Sequence, residues 1–432
     1  MRLSSTGEAA LSTDISARTV AAMNETLNGS RHGLKAMLPF VGPAVVASVA
    51  YLDPGNFAAN IQAGAGYGYQ LLWVVVAANL IAMLFQSMAA KIGIVTGRNL
   101  AELSRDHFSR PVRLMMWGAA EVAAMATDLA EFLGGAVGFM LLLHIPLIPA
   151  MAAMAVLTYA ILSVDRAGFR PMELVIGGFV ALIAIAYVLE LVIAPPDWAA
   201  AGRGIVLPHI ADSGALLLAV GVVGSTVMPH AIYLHSGLTQ ARAPAAFDGE
   251  KARLIRYSNR EVLVALGLAG FVNLAMVIMA AHAFHGMGEV ATLETAYRTL
   301  IPALGGAAAG LFLIALTAAG VSSSVVVTMA GQMIMQGFVG FRIPIWVRRL
   351  VTMLPAFVVA IVGWDITHAL VISQVILSVV LPVPMFALIR LSRRADLMGR
   401  FAASTKVTVA ATAAALLVIG LNLFLIGQTV LG

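Results

Sequence analysis

Long apolar segments separated by short polar ones run through the whole chain. Most of them exceed the ~20 residues that an α-helix needs to cross the hydrocarbon core of a bilayer. Hydrophobic residues make up 60% of the 432-residue chain and charged residues 11%. In soluble globular proteins the apolar fraction is usually about 45–50%, so this chain is far more apolar. We therefore predict an all-α polytopic membrane protein. Its predicted spans 1 to 11 are residues 36–60, 70–96, 112–142, 147–164, 172–194, 213–238, 261–284, 306–337, 346–363, 366–389 and 407–430.

The basic residues support the count of eleven transmembrane helices. If the N-terminus is cytoplasmic, all 26 lysines and arginines except Arg203 and Arg298 fall on the cytoplasmic side. Cytoplasmic loops are enriched in basic residues, and an error of one span would scatter these charges over both sides. We predict a multi-pass protein of the cell (inner) membrane with its N-terminus inside and its C-terminus outside. The basic residues that give the net charge of +5 then lie along the cytoplasmic side of the lipid bilayer, and no nucleic-acid partner is expected.

The first thirty-two residues differ in composition from the rest. They are rich in Ser, Thr, Ala and Asn and lack a compact apolar core followed by a small-residue cleavage site. This composition predicts a disordered cytosolic tail at residues 1–32 rather than a signal peptide. The chain has no cysteine, which excludes disulfides, thiolate metal sites and cysteine nucleophiles.

Two short polar breaks interrupt otherwise apolar spans. Residues 53–56, Asp-Pro-Gly-Asn, lie in span 1, and residues 228–230, Met-Pro-His, lie in span 6. A carboxylate at the centre of a membrane helix costs at least ~2.5 kcal/mol, so Asp53 indicates a functional site. Proline removes a backbone donor and glycine tolerates unwound backbone. A lone proline would more simply indicate a kink, but the pairing of polar neighbours predicts that helices 1 and 6 are discontinuous.

The breaks lie five spans apart, which is an odd number. If spans 1–5 and 6–10 are copies of one unit, the second copy must be inverted in the membrane. Such inverted repeats, with two discontinuous helices at corresponding positions, are typical of secondary transporters that bind substrate at the midplane. We predict a first five-helix repeat at 33–196, an inverted second repeat at 197–392 and an accessory helix 11 at 393–432.

The side chains at the breaks suit a divalent cation. Asp53 and Asn56 are three residues apart across an unwound turn, so their oxygens can converge on one point. Met228 adds a thioether, which favours Mn²⁺, Fe²⁺, Co²⁺ and Cd²⁺ over Mg²⁺ and Ca²⁺. The backbone carbonyls of Ala50 and Ser225 would complete an approximately six-coordinate shell with room for water.

These motifs resemble those of the Nramp (natural resistance-associated macrophage protein) family, in its bacterial branch of proton-coupled manganese transporters. The resemblance rests on residues 53–57, on 228–230 and on 128–131, Asp-Leu-Ala-Glu, and it covers residues 33–430. It implies a LeuT-like fold with two inverted five-helix repeats, and a divalent metal as substrate with no cofactor. The ligands of the family map onto Asp53, Asn56, Met228 and the carbonyls of Ala50 and Ser225, the last a position where the family more often has alanine.

Gln374 in span 10 matches a glutamine that, in the family, approaches the metal when the site closes. The resemblance therefore implies that Gln374 is a further ligand. An interhelical hydrogen bond is the alternative role for this side chain.

Three acids in span 3 form a second constellation. Glu121, Asp128 and Glu131 fall on one helical stripe because their spacings are seven and three. Arg348 and Arg349 at the start of span 9 are their partners if spans 3 and 9 are adjacent, as the resemblance implies. The stripe is predicted to relay protons from the metal site to the cytosol. A static ion-pair lock is the alternative, and the two arginines also fit ordinary positive-inside charges.

Two histidines follow the break in span 6 and titrate in a useful range. His230 is interpreted as tuning proton traffic or supporting the helix rather than as a ligand, and His235 as lining or packing near the inner exit. Both join the predicted relay together with Asp53, which must lose its proton to hold the metal. Glu190, near the outer end of span 5, is predicted to be interfacial.

These residues predict a secondary active transporter, not an enzyme, that imports divalent transition metals with protons by alternating access. The alternative of the same fold is a sodium-coupled amino-acid transporter, disfavoured because Asp53 would repel a substrate carboxylate. A metal-permeable channel also stays open. An intramembrane metalloenzyme would need clustered ligands such as His-Glu-x-x-His, which the sequence lacks. No obligate protein partner is implied.

Overall fold

The computed structural model describes residues 18–26, 30, 33–163, 169–240, 242, 247–286, 292–340 and 344–431. In these ranges the chain is helical without strands, as predicted. The helices are α1 (residues 18–26), α2 (Leu34–Met37), α3 (Pro43–Val49), α4 (Pro54–Tyr67), α5 (Leu72–Thr96), α6 (Leu100–His107), α7 (Arg110–Leu143), α8 (Leu147–Leu162), α9 (Phe169–Ile193), α10 (Trp198–Val206), α11 (Ser213–Thr226), α12 (Pro229–Gln240), α13 (Asp248–Phe284), α14 (Leu293–Leu304), α15 (Gly306–Val339), α16 (Ile345–Val362), α17 (Ile366–Val380), α18 (Pro382–Ser392), α19 (Ala395–Met398) and α20 (Thr405–Leu431).

Many of these helices are long and apolar enough to cross a membrane. Among the described residues, eight segments meet that description, and α8 is a shorter apolar helix. Helices also occupy the positions predicted for the remaining spans. The polytopic membrane architecture is therefore confirmed, while the count of eleven spans and the repeat boundaries stay predictions.

Both predicted helix breaks are present. Helix α3 ends at Val49 and α4 begins at Pro54, and α11 ends at Thr226 and α12 begins at Pro229. Each proline takes the first position of the following helix, where its missing N–H group leaves no hydrogen bond unmade. The discontinuity of spans 1 and 6 is confirmed.

A third interruption, in span 10, was not predicted, although Pro382 and Pro384 are a local signal for it. One apolar run predicts a single helix there, but α17 ends at Val380 and α18 begins at Pro382, with Leu381 between them. The sequence also gave no sign of α10 and α14, the short helices that follow spans 5 and 7. The second half of span 10 therefore begins at a proline, as in spans 1 and 6.

Spans 3 and 8 cross closely at a pair of glycines. A Cβ atom at Gly320 would lie only 2.4 Å from the Cα of Gly135, so a side chain at this crossing would displace backbone. Small residues let membrane helices approach to van der Waals contact. At the adjacent residue, a Cβ at Gly134 would lie 2.2 Å from the Cβ of Pro54. Span 3 is thus held directly beside the break in span 1.

Helix α1 lies within the segment that was predicted to be a disordered tail. Residues 18–26 are helical, and Met23 is buried against Phe40, Ile94 and Leu254. The segment is ordered because it places an apolar side chain in a small cluster at the ends of three other segments. Residues 1–17, 27–29 and 31–32 of the predicted tail lie outside the described residues.

Candidate functional site

The break in span 1 is organised by Asp53. Its Oδ2 accepts a hydrogen bond from the Gly55 N–H at 3.2 Å, and its Oδ1 accepts one from the Asn56 N–H at 3.0 Å. The carboxylate thereby caps α4, and it is 0% exposed. In the described part of the chain it forms no ion pair with a lysine or arginine. A buried carboxylate that is stabilised by neutral hydrogen-bond donors and by no cation has capacity left for one.

Asn56 links the two breaks. Its Nδ2 donates to Asp53 Oδ1 at 2.6 Å and to the carbonyl oxygen of Ser225 at 2.9 Å. Thr226 Oγ1 donates to Asn56 Oδ1 at 3.5 Å. The amide NH₂ group therefore faces a carboxylate oxygen and a carbonyl oxygen, the two acceptors that a cation would bind. Rotation of the amide by half a turn would present Oδ1 to the same point.

The other predicted ligands lie at the ends and gaps of the broken helices. Met228 is in the non-helical gap between α11 and α12, Ser225 is in the last turn of α11, and Ala50 directly follows α3. All three residues are 0% exposed. Helices α4 and α11 pack together, so the two gaps face a common interior.

Gln374 of α17 reaches the same point. A Cβ at Gly55 would lie 2.0 Å from Gln374 Nε2 and 2.8 Å from Asp53 Oδ2, so glycine is required there. The Gln374 amide nitrogen donates to the hydroxyl of the adjacent Ser373 at 3.2 Å. Its buried Oε1 has no hydrogen-bond partner among the described residues. The geometry therefore places an unused oxygen of Gln374 beside the break and not in an interhelical hydrogen bond.

The predicted pairing of spans 3 and 9 is present. Arg348 Nη2 lies 2.7 Å from Glu121 Oε2, and Trp117 Nε1 donates to Glu121 Oε1 at 3.1 Å. Arg349 Nη1 lies 3.8 Å from Asp128 Oδ1. Arg348 and Arg349 are 5% and 4% exposed, so they are buried partners and not loop charges.

Arg349 is held mainly by span 8. It donates to the Ser324 carbonyl at 3.1 Å, to the Ser324 hydroxyl at 2.8 Å and to the Thr328 hydroxyl at 2.7 Å. Within the described ranges, the carboxylate oxygens of Asp128 and Glu131 have no hydrogen-bond partner, although both residues are buried. Buried polar groups are normally satisfied, so these two carboxyl groups are suited to hold a proton or a water molecule.

The two histidines have different surroundings. His230 Nδ1 lies 3.3 Å from Thr127 Oγ1 of span 3, and His235 Nδ1 lies 2.9 Å from Gln86 Oε1. Gln86 also donates to the Tyr51 hydroxyl at 2.7 Å. Both imidazoles are 0% exposed, so His235 packs in the interior. His230 connects the break in span 6 to the residue that precedes Asp128.

Comparison with known proteins identifies the family. Residues 44–428 match the sequence model of a protein family, Nramp, which is described as natural resistance-associated macrophage protein-like. The chain belongs to the Nramp family. The divalent metal cation transporter MntH of Granulibacter bethesdensis is 59% identical over 416 residues, which cover 96% of this chain and 94% of the relative. The relative of the same name from Burkholderia ambifaria is 58% identical over 420 residues, which cover 96% of this chain and 95% of the relative.

Solved structures support the same assignment for this Nramp chain. The manganese transporter of Eremococcus coleocola, crystallised with an aromatic bis-isothiourea compound, has a TM-score of 0.85 and 31% identity, with 92% of this chain and 88% of that chain covered. Mhp1, a nucleobase-cation-symport-1 family transporter, matches with a TM-score of 0.61 and 15% identity, covering 90% and 93%. The second likeness shows the fold alone, and the predicted LeuT-like fold is confirmed. The relatives are named as transporters, as predicted, and not as enzymes.

A metal in this Nramp chain would have mixed ligands. In the ranges that the structure describes, no group of three or more His, Asp or Glu side chains is arranged to hold a metal ion. One carboxylate, two amides, a thioether and backbone carbonyls are what the breaks offer instead. Such a set is unlike the nitrogen-rich sites of hydrolytic zinc enzymes and is suited to transient binding.

An ionic cluster at the N-terminal end of span 1 was not predicted from the sequence. Glu261 accepts the N–H of Gly42 at 2.5 Å, just before α3. Glu173 pairs with Arg170 at 2.9 Å and also with Arg242. The Arg170–Glu173 pair is local, but Arg242 lies 69 residues from Glu173 in the sequence, and no local pattern predicts that contact. The cluster fixes the start of α3.

Glu190 is buried between helices. It is 0% exposed, and neither carboxylate oxygen has a hydrogen-bond partner among the described residues, while its depth at the membrane interface stays a prediction. The reason for the burial is the rotation of α9, which packs against α13 and α15 and directs this position inward. One turn earlier, Tyr187 is also buried and lies edge-on to Phe57 with 5.7 Å between ring centroids.

A hydrogen bond between Tyr67 and Asp212 ties the C-terminal end of span 1 to the N-terminal end of span 6. Tyr67 donates to Asp212 Oδ1 at 2.7 Å, and the Ala215 N–H donates to the same oxygen at 2.8 Å. Both hydrogen bonds stabilise the carboxylate and so hold the pKa of Asp212 below its usual value. The bond from the Ala215 N–H has the larger effect, and the bond from Tyr67 has the smaller one. Asp212 is therefore ionised at neutral pH and joins the ends of α4 and α11.

Proposed function

We propose that this Nramp protein imports divalent transition metals, Mn²⁺ together with Fe²⁺, Co²⁺ and Cd²⁺, coupled to protons by alternating access. One observation carries the proposal: Asp53 and Asn56 from span 1 and the Ser225 carbonyl from span 6 converge at a fully buried point. The printed names of the relatives, divalent metal cation transporter and manganese transporter, support a metal substrate.

The metal replaces the hydrogen bond between Asn56 and Asp53. The amide turns so that its oxygen, and not its NH₂ group, faces the carboxylate and the Ser225 carbonyl. Because Met228 supplies sulfur, the site discriminates against Mg²⁺ and Ca²⁺, which prefer oxygen. The proposed ligands are Asp53, Asn56, Met228, Gln374 and the backbone carbonyls of Ala50 and Ser225.

Proton coupling follows from the chemistry of Asp53. A carboxylate must be ionised to bind a metal, so metal entry releases a proton. We propose that this proton passes to Asp128 and Glu131, with His230 linking the break to span 3 through Thr127. Arg349 stabilises the ionised form of Asp128 across 3.8 Å. The Arg348–Glu121 pair and His235 lie further along the proposed relay.

Alternating access requires that contacts on the two sides break in turn. The Tyr67–Asp212 bond holds the outer ends of spans 1 and 6, and the cluster around Glu173 and Glu261 holds the inner end of span 1. Rocking of the two broken spans against the other helices would open each side separately. The distribution of basic residues supports insertion in the inner membrane with a cytoplasmic N-terminus and an external C-terminus.

Transport into proteoliposomes tests the proposal. Purified protein is reconstituted in vesicles that hold one dye for Mn²⁺ and another for pH, and an acidic exterior is imposed. We expect Mn²⁺ entry that accelerates with the inward proton gradient and is accompanied by acidification. Metal entry without any proton movement would favour a channel, and sodium-driven amino-acid uptake would favour the other transporter class. Either result would contradict the proposal.

A further inference from the structure

A crevice of ≈ 330 Å³ lies between α3, α9 and α13. Its walls are mainly aliphatic, with Val41 and Val45 on one side and Val180 and Ala265 on the others. The residues proposed as metal ligands are not among those that line it. The volume is at the lower end of the range of small-molecule sites, about 300–1,000 Å³. The crevice is therefore a separate cavity of ligand size.

The crevice opens toward the lipid. Leu174, Val264 and Leu268 line it, and they are 57%, 63% and 38% exposed. These side chains belong to membrane-crossing helices, where an exposed aliphatic surface faces hydrocarbon. A ligand enters this opening from the acyl-chain region and not from water.

The polar groups at one end of the crevice are already satisfied. Arg170 donates to Glu173 at 2.9 Å and to the Leu38 carbonyl at 3.3 Å. Glu261 accepts hydrogen bonds from the backbone of Gly42 and Ala44. Because Arg170 is paired with Glu173 and Glu261 accepts two backbone hydrogen bonds, these polar groups already have partners within the protein. Its binding capacity is that of the aliphatic walls.

We propose that the crevice binds one acyl chain of a phospholipid from the surrounding leaflet, and that this chain braces α3 against α9 and α13. Helix α3 is only 7 residues long and is separated from α4 by the break, so its position depends on lateral packing. A filled crevice restores the dispersion contacts that an empty one lacks. The proposal depends on membrane insertion and holds for any transported substrate.

Photolabelling tests the occupant directly. The full-length protein is reconstituted in phosphatidylethanolamine–phosphatidylglycerol vesicles doped with a phospholipid that carries a diazirine in one acyl chain. After illumination, labelled peptides are mapped by mass spectrometry. We expect label on Val45 and Ser48 of α3, which lie inside the crevice, as well as on the exposed Leu174 and Val264. Label on the exposed residues alone, or label on α3 from a diazirine fatty acid but not from the phospholipid, would overturn the proposal.

Two neighbouring glycines provide a matched pair of variants. A Cβ at Gly177 would meet only the Val45 Cγ1 atom at 3.7 Å, whereas a Cβ at Gly178 would meet nothing within 4 Å. Gly177→Leu therefore fills the crevice, while Gly178→Leu makes the same change of helix propensity outside it. We expect labelling of α3 to fall at least fivefold in Gly177→Leu and to stay unchanged in Gly178→Leu. Equal labelling of α3 in both variants and the parent protein would show that the label does not enter the crevice.

Discussion

Asn56 donates its side-chain amide to the carbonyl oxygen of Ser225 at 2.9 Å, across 169 residues of sequence. The bond joins the first turn after the gap in span 1 to the last turn before the gap in span 6. In a continuous helix the Ser225 carbonyl would accept the N–H four residues ahead, but that residue is Pro229, which has no N–H. The two breaks therefore create the site jointly.

Asp53→Asn tests the charge at the centre of the site. The asparagine keeps an oxygen to cap α4 but cannot balance a divalent ion, so Mn²⁺ uptake should fall more than about 100-fold. Thermal stability should change little. Uptake into proteoliposomes measures the first effect, and a thermal melting curve measures the second.

Asp53→Ala is the companion variant. It loses the charge and also the cap, so it should lose transport equally and additionally lose about 1 kcal/mol of stability. Uptake by either variant at the parental rate would remove Asp53 from the metal site.

Met228→Ala tests the thioether. Carboxylate, amide and carbonyl oxygens remain, so Mn²⁺ uptake should persist, while inhibition by excess Ca²⁺ or Mg²⁺ should strengthen because oxygen ligands favour those ions. Competition assays over a concentration series give the ratio of inhibition constants. Met154→Ala removes an equally buried methionine of α8 and should leave the ratio unchanged. Unchanged selectivity in Met228→Ala would contradict the role of sulfur.

Asp128→Asn separates proton from metal movement. Arg349 keeps its three hydrogen bonds to Ser324 and Thr328, so the fold should survive the loss of this carboxylate. We expect Mn²⁺ entry to continue while metal-driven acidification falls several-fold. Glu294→Gln serves as the control, because it breaks an exposed ion pair with Arg298 within α14. Full acidification in Asp128→Asn would place the proton route elsewhere.

Tyr67→Phe has an effect on stability that depends on pH. The hydrogen bond from Tyr67 helps to lower the pKa of Asp212 in the folded protein, so its contribution is present above the unfolded pKa of about 3.9. It is lost as the pH falls through the lower folded pKa. The variant should therefore melt below the parent at pH 7, and the difference should shrink below about pH 4. A difference that stays constant down to pH 3 would show that the carboxylate is not involved.

Met23→Asp tests the docking of α1. Met23 is 2% exposed, and an unpaired carboxylate in its apolar cluster would be strongly unfavourable. The helix should undock, and trypsin should cleave after Arg18 faster than in the parent. Val20→Asp, at a position that is 46% exposed, should be cleaved at the parental rate. Equal cleavage of all three proteins would contradict the buried role of Met23.

The sequence predicted those features that depend on local chemistry. Apolar length predicts membrane helices because the bilayer demands internal hydrogen bonding. Proline and glycine beside Asp53 and Met228 predict the two breaks because they interrupt the helical ladder. The spacing of Glu121, Asp128 and Glu131 likewise predicts one helical face. Each of these inferences needs only neighbours within a few residues.

Only the tertiary structure decided which distant groups meet. The pairing of Glu173 with Arg170 and Arg242, the burial of Glu190 and the docking of Met23 depend on how helices rotate and pack. Span 10 differs from these cases, because Pro382 is a local signal for its break even though no charged residue accompanies it. By itself, the sequence determined the membrane class and the chemistry of the breaks, because both are properties of single segments. The partners of the buried charges are set by packing between segments, which no local pattern encodes.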